Sequence, residues 1–434
     1  MYHALLINPW IYDYAAVNMW ARPLGLLKVA EFLSQFNLNL SYIDCMDRIE
    51  KPKPYGMGKY PKTFLPAPEF LQKIKRRYGR YGISLEEFHR RLKRLDKPDI
   101  VFVTGIMTYW YPGAFLAIDL CKRLWPTVPV VLGGIYPSLF PEHARRFSGA
   151  DLVYSGRVGY NLIDQLKELG ISLKKVKEKP VPYYRLNFYP EPSYGVILSS
   201  EGCPFRCSYC ASGILWKGFR QKSPEDILEE IEFQVSMGIR DFAFYDDALL
   251  YNRETHIKPL LKGIIEAEFN IRLHAPNGLH ARYLDEELAL LMKRAGFVTI
   301  RLSLETTNPE RQKSTGGKVF NQELERAIKH LNKAGFGKKE IGVYLMYGLP
   351  GQELREVYQG VEYLKGLNVR IHLAEFSPLP GTHAWHELIE KGTLQHDIDP
   401  LLTNNTLFSL LFCSYKEEEI RTLKNAVSEY NRTS

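Results

Sequence analysis

The spacing of apolar and polar positions divides the chain into two parts with different strand grammar. Up to about residue 178, short β-branched or apolar runs (HALLINP, LNLSYID, DIVFVTGIM, VPVVLGGI and DLVYSG) alternate with segments whose apolar residues recur at helical spacing. Those segments are PLGLLKVAEFLSQF, AFLAIDLCKRLW, PEHARRFS and NLIDQLKELG. Five strands alternating with helices predict an α/β domain built on an open parallel Rossmann-like sheet of the flavodoxin kind, with its ligand beyond the strands' carboxyl ends where strand order reverses. A Pro-rich connector, EKPVPYYRLNFYPEPS, follows at about 179–192 and is expected to be extended. From 193 to 385, six further runs read as strands: YGVILSS, DFAFYDD, IRLHAPN, TIRLSLE, EIGVYLMYG and RIHLAEFSP. Helical patterns separate them, and the first opens on Ser223 as N-cap with Asp226 three residues on. Six βα units are too few for an eight-fold barrel, so a partial (β/α)6 barrel is expected, with its site at the carboxyl ends of the strands. Residues 386–434, including KEEEIRTLKNAVSEYNR, read as a closing helical extension.

Composition narrows the class. At 434 residues, 45% hydrophobic and 24% charged, the chain has the make-up of an ordinary globular protein with two or three domains. The opening MYHALLINPW lacks a signal peptide's basic start and long apolar stretch, and no apolar run approaches the ~20 residues of a bilayer span. The net charge of +8 is unevenly placed: Lys51 to Lys97 holds fourteen Lys/Arg against four Asp/Glu, so the rest is close to neutral. This basic insertion, about 48–98, lies between the second and third strands and interleaves Tyr55, Tyr60, Tyr78 and Tyr81 with its cations. Nucleic acid binds such patterns, but a solvated basic face is the commoner outcome, and a cap over an anionic cofactor or protein partner is a third reading.

The sharpest chemical signal is EGCPFRCSYC, which sets Cys203, Cys207 and Cys210 just past the first strand of the second half. Three thiolates at Cys-x3-Cys-x2-Cys spacing can hold three irons of a [4Fe–4S] cube and leave the fourth iron open for reaction. Pro204 and Arg206 argue against three core cysteines, a zinc knuckle lacks its fourth ligand nearby, and a disulfide would strand one thiol. Six cysteines are too sparse for a disulfide scaffold, and an oxygen-sensitive cluster needs a reducing compartment, so the cytoplasm is expected. Cys45, Cys121 and Cys413 are isolated, with Cys121 on an apolar helix face as a core residue.

This loop, with Tyr209 before its last cysteine, resembles the signature of radical S-adenosylmethionine (SAM) enzymes over roughly residues 193–385. The resemblance implies that SAM chelates the open iron and is cleaved reductively to a 5′-deoxyadenosyl radical, with an electron donor such as flavodoxin or ferredoxin. By position at successive strand ends, it implies SAM contacts at Tyr209, at Asp246 and Asp247 in place of a glycine-rich motif, and at Glu305. Gly348 and Gly351 in YGLPGQ, and Ser377 in FSPLPGT, complete the implied set. Each has a plainer reading: the aspartates as helix caps, Pro350–Gly351 as a turn, and Asn277–Gly278, ahead of His280, as another turn.

An open α/β domain followed by such a barrel resembles the cobalamin-binding subgroup of the same superfamily. The stretches that carry this are PLGLLKVAEFL, VTGIMT, VVLGGIYPS and SGRVGYN. They imply cobalamin contacts at Thr108, Tyr109 and Trp110 after the third strand and at Gly133 and Gly134 after the fourth. Tyr109, Trp110 or Tyr111 would meet the lower corrin face, or all three would fill core. Two departures stand out: IDCMDRIE after strand two lacks the Asp-x-His-x-x-Gly that gives a histidine to cobalt, and SGRVGYN lacks the usual acids. If cobalamin binds, the implied chemistry is C-methylation of an unactivated carbon in a small-molecule or peptide substrate. Radical rearrangement or oxidation with the same cofactors is the runner-up. A non-catalytic iron–sulfur or cobalamin-sensing module that binds nucleic acid is the alternative from another class.

Overall fold

The computed structural model describes residues 1–178, 180 and 183–433. It separates into two compact units, Met1–Pro192 with Asp399–Leu401, and Ser193–Ile398 with Leu402–Ser434. Of the connector, residues 179, 181 and 182 lie outside the described residues. Tyr183–Phe188 forms a 3-10 turn instead of extended chain. The connector's prolines flank this hexapeptide, so its backbone N–H groups remain available to close the turn.

The first unit carries five parallel strands: β1 (Tyr2–Asn8), β2 (Leu38–Asp44), β3 (Ile100–Gly105), β4 (Val130–Gly134) and β5 (Leu152–Val153). Their order is β5-β4-β3-β1-β2, the doubly wound arrangement expected, with the reversal between β1 and β3. Helices Leu24–Leu33 and Tyr160–Glu168 bury Leu26, Ala30, Leu33, Leu162, Ile163 and Leu166 against Ala4, Leu6, Ile100 and Phe102 of one sheet face. On helix Tyr111–Leu124, Ala114, Ala117, Ile118 and Cys121 are buried, which makes Cys121 core as expected.

The basic insertion is folded. Lys51–Pro52 and Gly58–Lys59 join Val17–Asn18 in one small antiparallel sheet, and Lys62–Phe64 and Gly79–Tyr81 join Ile11–Asp13 in another. Helix Leu85–Lys93 follows, with Ser84 Oγ accepting from Glu87 N. Three of the four interleaved tyrosines, Tyr60, Tyr78 and Tyr81, are buried as core of this subdomain, while Tyr55 is exposed. Stacking platforms for bases need exposed rings, so most of the aromatic part of the nucleic-acid pattern is spent on packing.

The second unit has six parallel strands in chain order: β6 (Gly195–Ile197), β7 (Asp241–Phe244), β8 (Arg272–Leu279), β9 (Phe297–Glu305), β10 (Ile341–Tyr347) and β11 (Arg370–Glu375). β6 and β11 stand at the two ends of the order, so the sheet is open, as a partial barrel requires. Helix Pro224–Ser236 begins where expected, with Ser223 Oγ accepting from Asp226 N. Asn277–Gly278 does not turn the chain. It sits inside β8 at a register shift, where a side chain on Gly278 would strike Ser303 Oγ of β9. The final helix, Glu417–Arg432, lies along β11, and Asn431 bonds both backbone groups of Ile371, accepting from its N at 3.0 Å and donating to its O at 2.8 Å. Among the described residues, no helix is long and apolar enough to cross a membrane.

Candidate radical chemistry site

The cysteine loop occupies the carboxyl end of β6, bracketed by the short antiparallel pair Ser200–Glu201 and Arg220–Gln221. Other strand ends hold it from the sides. Ser208 N donates to Thr315 O at 3.1 Å, and Ala384 N donates to Ser208 O at 2.8 Å. Gly316, at φ +112, packs against the loop so closely that a Cβ would sit 3.1 Å from both Cys207 Cα and Arg206 O. Glycine is the residue that accepts this conformation and leaves this space. Burial pushes all three thiols above their ordinary range, Cys210 to about 11, with Lys318 acting in the opposite sense. Holding three thiolates here therefore calls for added positive charge, which iron supplies.

Among the described residues, no three carboxylate, imidazole or thiol groups converge as ligands of a single ion. Three thiols that each meet a different iron of a cube do not need to converge. The donor set therefore fits a cuboidal cluster with one open corner.

The other strand ends supply charged and polar groups. Asp246, past β7, is buried and already committed: Oδ1 accepts from Ser199 Oγ at 2.6 Å and Ser200 Oγ at 2.5 Å, and Oδ2 from Ser199 N at 3.2 Å. His256 Nε2 adds a 2.9 Å bond to the same Ser199 hydroxyl. Asp247 is exposed and bonds to Ser212 Oγ at 2.6 Å, two residues past Cys210. Asn277 links β8 to this end, donating to Tyr245 O at 2.9 Å. Glu305 terminates β9 with φ +68, a strained conformation for a non-glycine residue, at a register shift against β10. Lys318 Nζ lies 3.6 Å from Glu305 Oε1 and donates to Ser303 Oγ at 2.7 Å. The Tyr209 hydroxyl lies against the Cys207 thiol and feels the Glu305 charge. Gly348 and Gly351, both at positive φ, shape the loop after β10. Arg311 pins that loop through Pro350 O at 3.0 Å and Gly351 O at 3.1 Å, held in turn by Glu356 at 2.9 Å. Ser377 donates to Thr403 O at 2.5 Å.

The sequence reading missed Lys318, Arg311 and His256. Lys318 follows the Gly316–Gly317 pair, which is the one signal that a tight loop had placed it. His280, noted only beside a turn, is buried and stacks on Phe205 of the cysteine loop at 4.6 Å.

Residues 197–364, spanning β6 to the helix after β10, match the family model described as the Radical SAM superfamily. That stretch of the chain is a radical SAM domain. Members cleave SAM at a [4Fe–4S] cluster, so this radical SAM protein is an enzyme with those two cofactors. It is 27% identical over 350 residues to the uncharacterized methyltransferase PH0819 of Pyrococcus horikoshii, covering 72% of this chain and 74% of that one. It is 26% identical to the hopanoid C-2 methylase of Rhodopseudomonas palustris, over 69% of this chain and 59% of that protein. Among solved structures, the radical SAM methyltransferase TsrM of Kitasatospora setae, with tryptophan substrate and a SAM analogue bound, superposes with a TM-score of 0.68. That match has 18% identity and covers 90% of this chain and 76% of TsrM. A second TsrM structure holds cobalamin and a [4Fe–4S] cluster. At this identity the likeness is one of fold, and it extends over both units of the radical SAM chain.

In the first unit, the residues implied for cobalamin gather at the carboxyl ends of β3 and β4. Thr108 and Tyr109 are buried; Trp110 is half-buried and donates from Nε1 to Asp13 Oδ2 at 2.7 Å. Tyr111 donates to Asp399 at 3.1 Å and stacks on Tyr136. Gly133 is open, since a Cβ there would meet only Tyr154 O within 4 Å, whereas Gly134 is packed against Gly105 and Thr104. Cys45 is fully buried beyond β2.

Proposed function

We propose that this enzyme is a cobalamin-dependent radical SAM methylase acting on an unactivated carbon. The observation that carries the reading is the pairing of architectures in one chain. A three-cysteine loop stands past the first strand of a six-strand parallel unit, and the other unit is a doubly wound sheet with an open glycine at its β4 end. The methyltransferase names of two relatives and the cobalamin held by a protein of the same fold support it. When bound, the cluster supplies an electron for carbon–sulfur cleavage of SAM, and cobalamin supplies a methyl carrier.

Cys203, Cys207 and Cys210 hold the cluster. Asp247, with a carboxylate oxygen not taken by Ser212, receives the SAM ammonium as a charge-assisted bond. Asp246 acts through its neighbours, fixing Ser199 and Ser200 at the end of β6. Glu305 takes a ribose hydroxyl, Tyr209 backs the cysteine loop, and the Gly348–Gly351 loop and Ser377 line the adenine side. In the first unit, Gly133 lets the nucleotide tail of cobalamin approach the backbone, with Gly134 shaping that turn. Thr108, Tyr109 and Trp110 back the corrin, and the hydrogen bond from Trp110 to Asp13 fixes its ring. An external one-electron donor is required.

The test is anaerobic reconstitution with iron, sulfide and cobalamin, followed by SAM and a reductant. Formation of 5′-deoxyadenosine and corrin absorption bands on the desalted protein are expected. A protein that cleaves SAM but shows no corrin bands overturns the cobalamin part. One with no cluster signal in Mössbauer spectra overturns the whole.

A further inference from the structure

The inner face of β9, β10 and β11 carries an unusual run of basic side chains. Register pairs Arg301 with Gly342 and Gly342 with Arg370 in one layer, and Ser303 with Tyr344 and Tyr344 with His372 in the next. Paired residues in a parallel sheet share a face, so Arg301, Arg370 and His372 look into the same lumen. The alternate residues Leu302, Leu304, Val343, Leu345 and Ile371 are buried on the outer face. The inward residues Arg301, Tyr344, Met346, Arg370, His372 and Ala374 are only half-buried. A filled barrel packs these positions with branched apolar side chains. Here they line a space that solvent reaches.

Gly342 brings the basic groups together. A Cβ there would lie 2.6 Å from the His372 ring and 2.9 Å from Arg301 Cδ, so only glycine lets the two side chains close over it. Among the described residues, neither Arg301 nor Arg370 has a carboxylate partner. Arg301 spends Nη1 on the carbonyls of Ile300, at 3.1 Å, and Glu340, at 3.5 Å. Arg370 Nε and His372 Nε2 are buried without a hydrogen-bond partner. The Tyr344 hydroxyl, donating to Pro276 O at 2.7 Å, carries its ring across β9 and past His372, at 5.6 Å between ring centres. Two neighbouring guanidiniums, one with a buried N–H unmet, beside an unpartnered imidazole nitrogen are costly unless an anion completes them.

We infer that the Arg301–Arg370–His372 cluster is a binding site for the anionic group of the substrate, a carboxylate or a phosphate. Arg301 lies four residues before Glu305 on β9, about 13 Å at strand rise. The substrate is therefore elongated, with its acid well separated from the carbon that reacts at the strand ends. Assigning the anion to the substrate rests on the radical SAM reading of this unit. The anion site itself rests on the register and the unpaired donors.

The test uses the full chain with its cluster reconstituted, titrated calorimetrically with sodium phosphate and, separately, sodium acetate at constant ionic strength. Saturable one-to-one binding of at least one anion is expected, tighter for phosphate if the substrate is phosphorylated and for acetate if it is a carboxylic acid. Arg301→Gln, Arg370→Gln and Gly342→Ala should each weaken that binding tenfold or more while cluster absorbance and far-UV circular dichroism stay unchanged. Should Arg301→Gln not fold, half-exposed Arg370→Gln provides the same comparison. Non-saturable binding, or binding indifferent to Arg370→Gln, overturns the inference. Since anion titration does not depend on turnover, its failure with intact SAM cleavage sinks only this inference, and lost SAM cleavage with intact anion binding sinks only the reading above.

Discussion

Replacing Gly316 by alanine should damage cluster loading without removing any proposed ligand. At φ +112 an L-residue is strained, which costs on the order of 1–2 kcal/mol by analogy with left-handed helical geometry. The new methyl would also stand 3.1 Å from Cys207 Cα and from Arg206 O, both fixed backbone, so the cysteine loop or its neighbour must move. Overpacking of this kind adds roughly 1–3 kcal/mol. Together the two terms lower stability by about 2–5 kcal/mol and displace Cys207 from its partners. The assay is iron and sulfide per chain after anaerobic reconstitution, with thermal unfolding in parallel. A shift of several degrees in Tm and loading well below wild type are expected. Gly366→Ala is the control, because Gly366 ends a helix with nothing within 4 Å of its Cβ position, and it should be neutral or slightly stabilising. Gly316→Ala that loads iron and melts like wild type would refute the reasoning.

Alanine at Cys203, Cys207 or Cys210 should each abolish the cluster's visible absorption and 5′-deoxyadenosine formation; a variant that keeps either removes that residue from the ligand set. Asp246→Ala strands the hydroxyl of Ser200 and the amide of Ser199 and leaves the Ser199 hydroxyl with His256 alone, a loss of about 3–5 kcal/mol that chemical denaturation should show, and a cost below about 1 kcal/mol would contradict the buried network. Arg272, at 2.6 Å, and His274 hold the Asp241 carboxyl down to about 2, below its unfolded value of 3.8. The stability this pair contributes is therefore complete above about pH 4 and is lost as pH falls through about 2. The shift sets an upper bound of roughly 2 kcal/mol, discounted to about 1 because Arg272 is exposed. Urea midpoints measured from about pH 5 to about pH 2 should fall more steeply in wild type than in Asp241→Asn, and parallel slopes would show that the pair contributes nothing.

The alternation of strands and helices was readable because both sheets are parallel, and parallel strands buried on two faces appear as continuous apolar runs. The cysteine loop was readable because its ligands are close in sequence. What escaped depended on partners distant along the chain. The small sheets of the basic insertion form only against Ile11–Asp13 and Val17–Asn18, and two-residue strands such as Lys51–Pro52 have no pattern of their own. Asn277–Gly278 has turn composition, yet Ser303 on the neighbouring strand needs the space that Gly278 leaves. Asp246 looked available because the donors that occupy it, Ser199 and Ser200, lie at the end of another strand. Arg301, Arg370 and His372 become a cluster only once the register of three strands is known.

The hold of Asn431 on Ile371 has a consequence for how copies of this enzyme meet one another. An outermost strand normally offers a ladder of free amides and carbonyls to which a neighbouring molecule can add a strand of its own, the first step toward fibrous aggregates. Here a side chain from the final helix occupies both polar groups of one rung while the helix body screens that flank. The molecule thus guards part of its own rim against strand addition by a second copy.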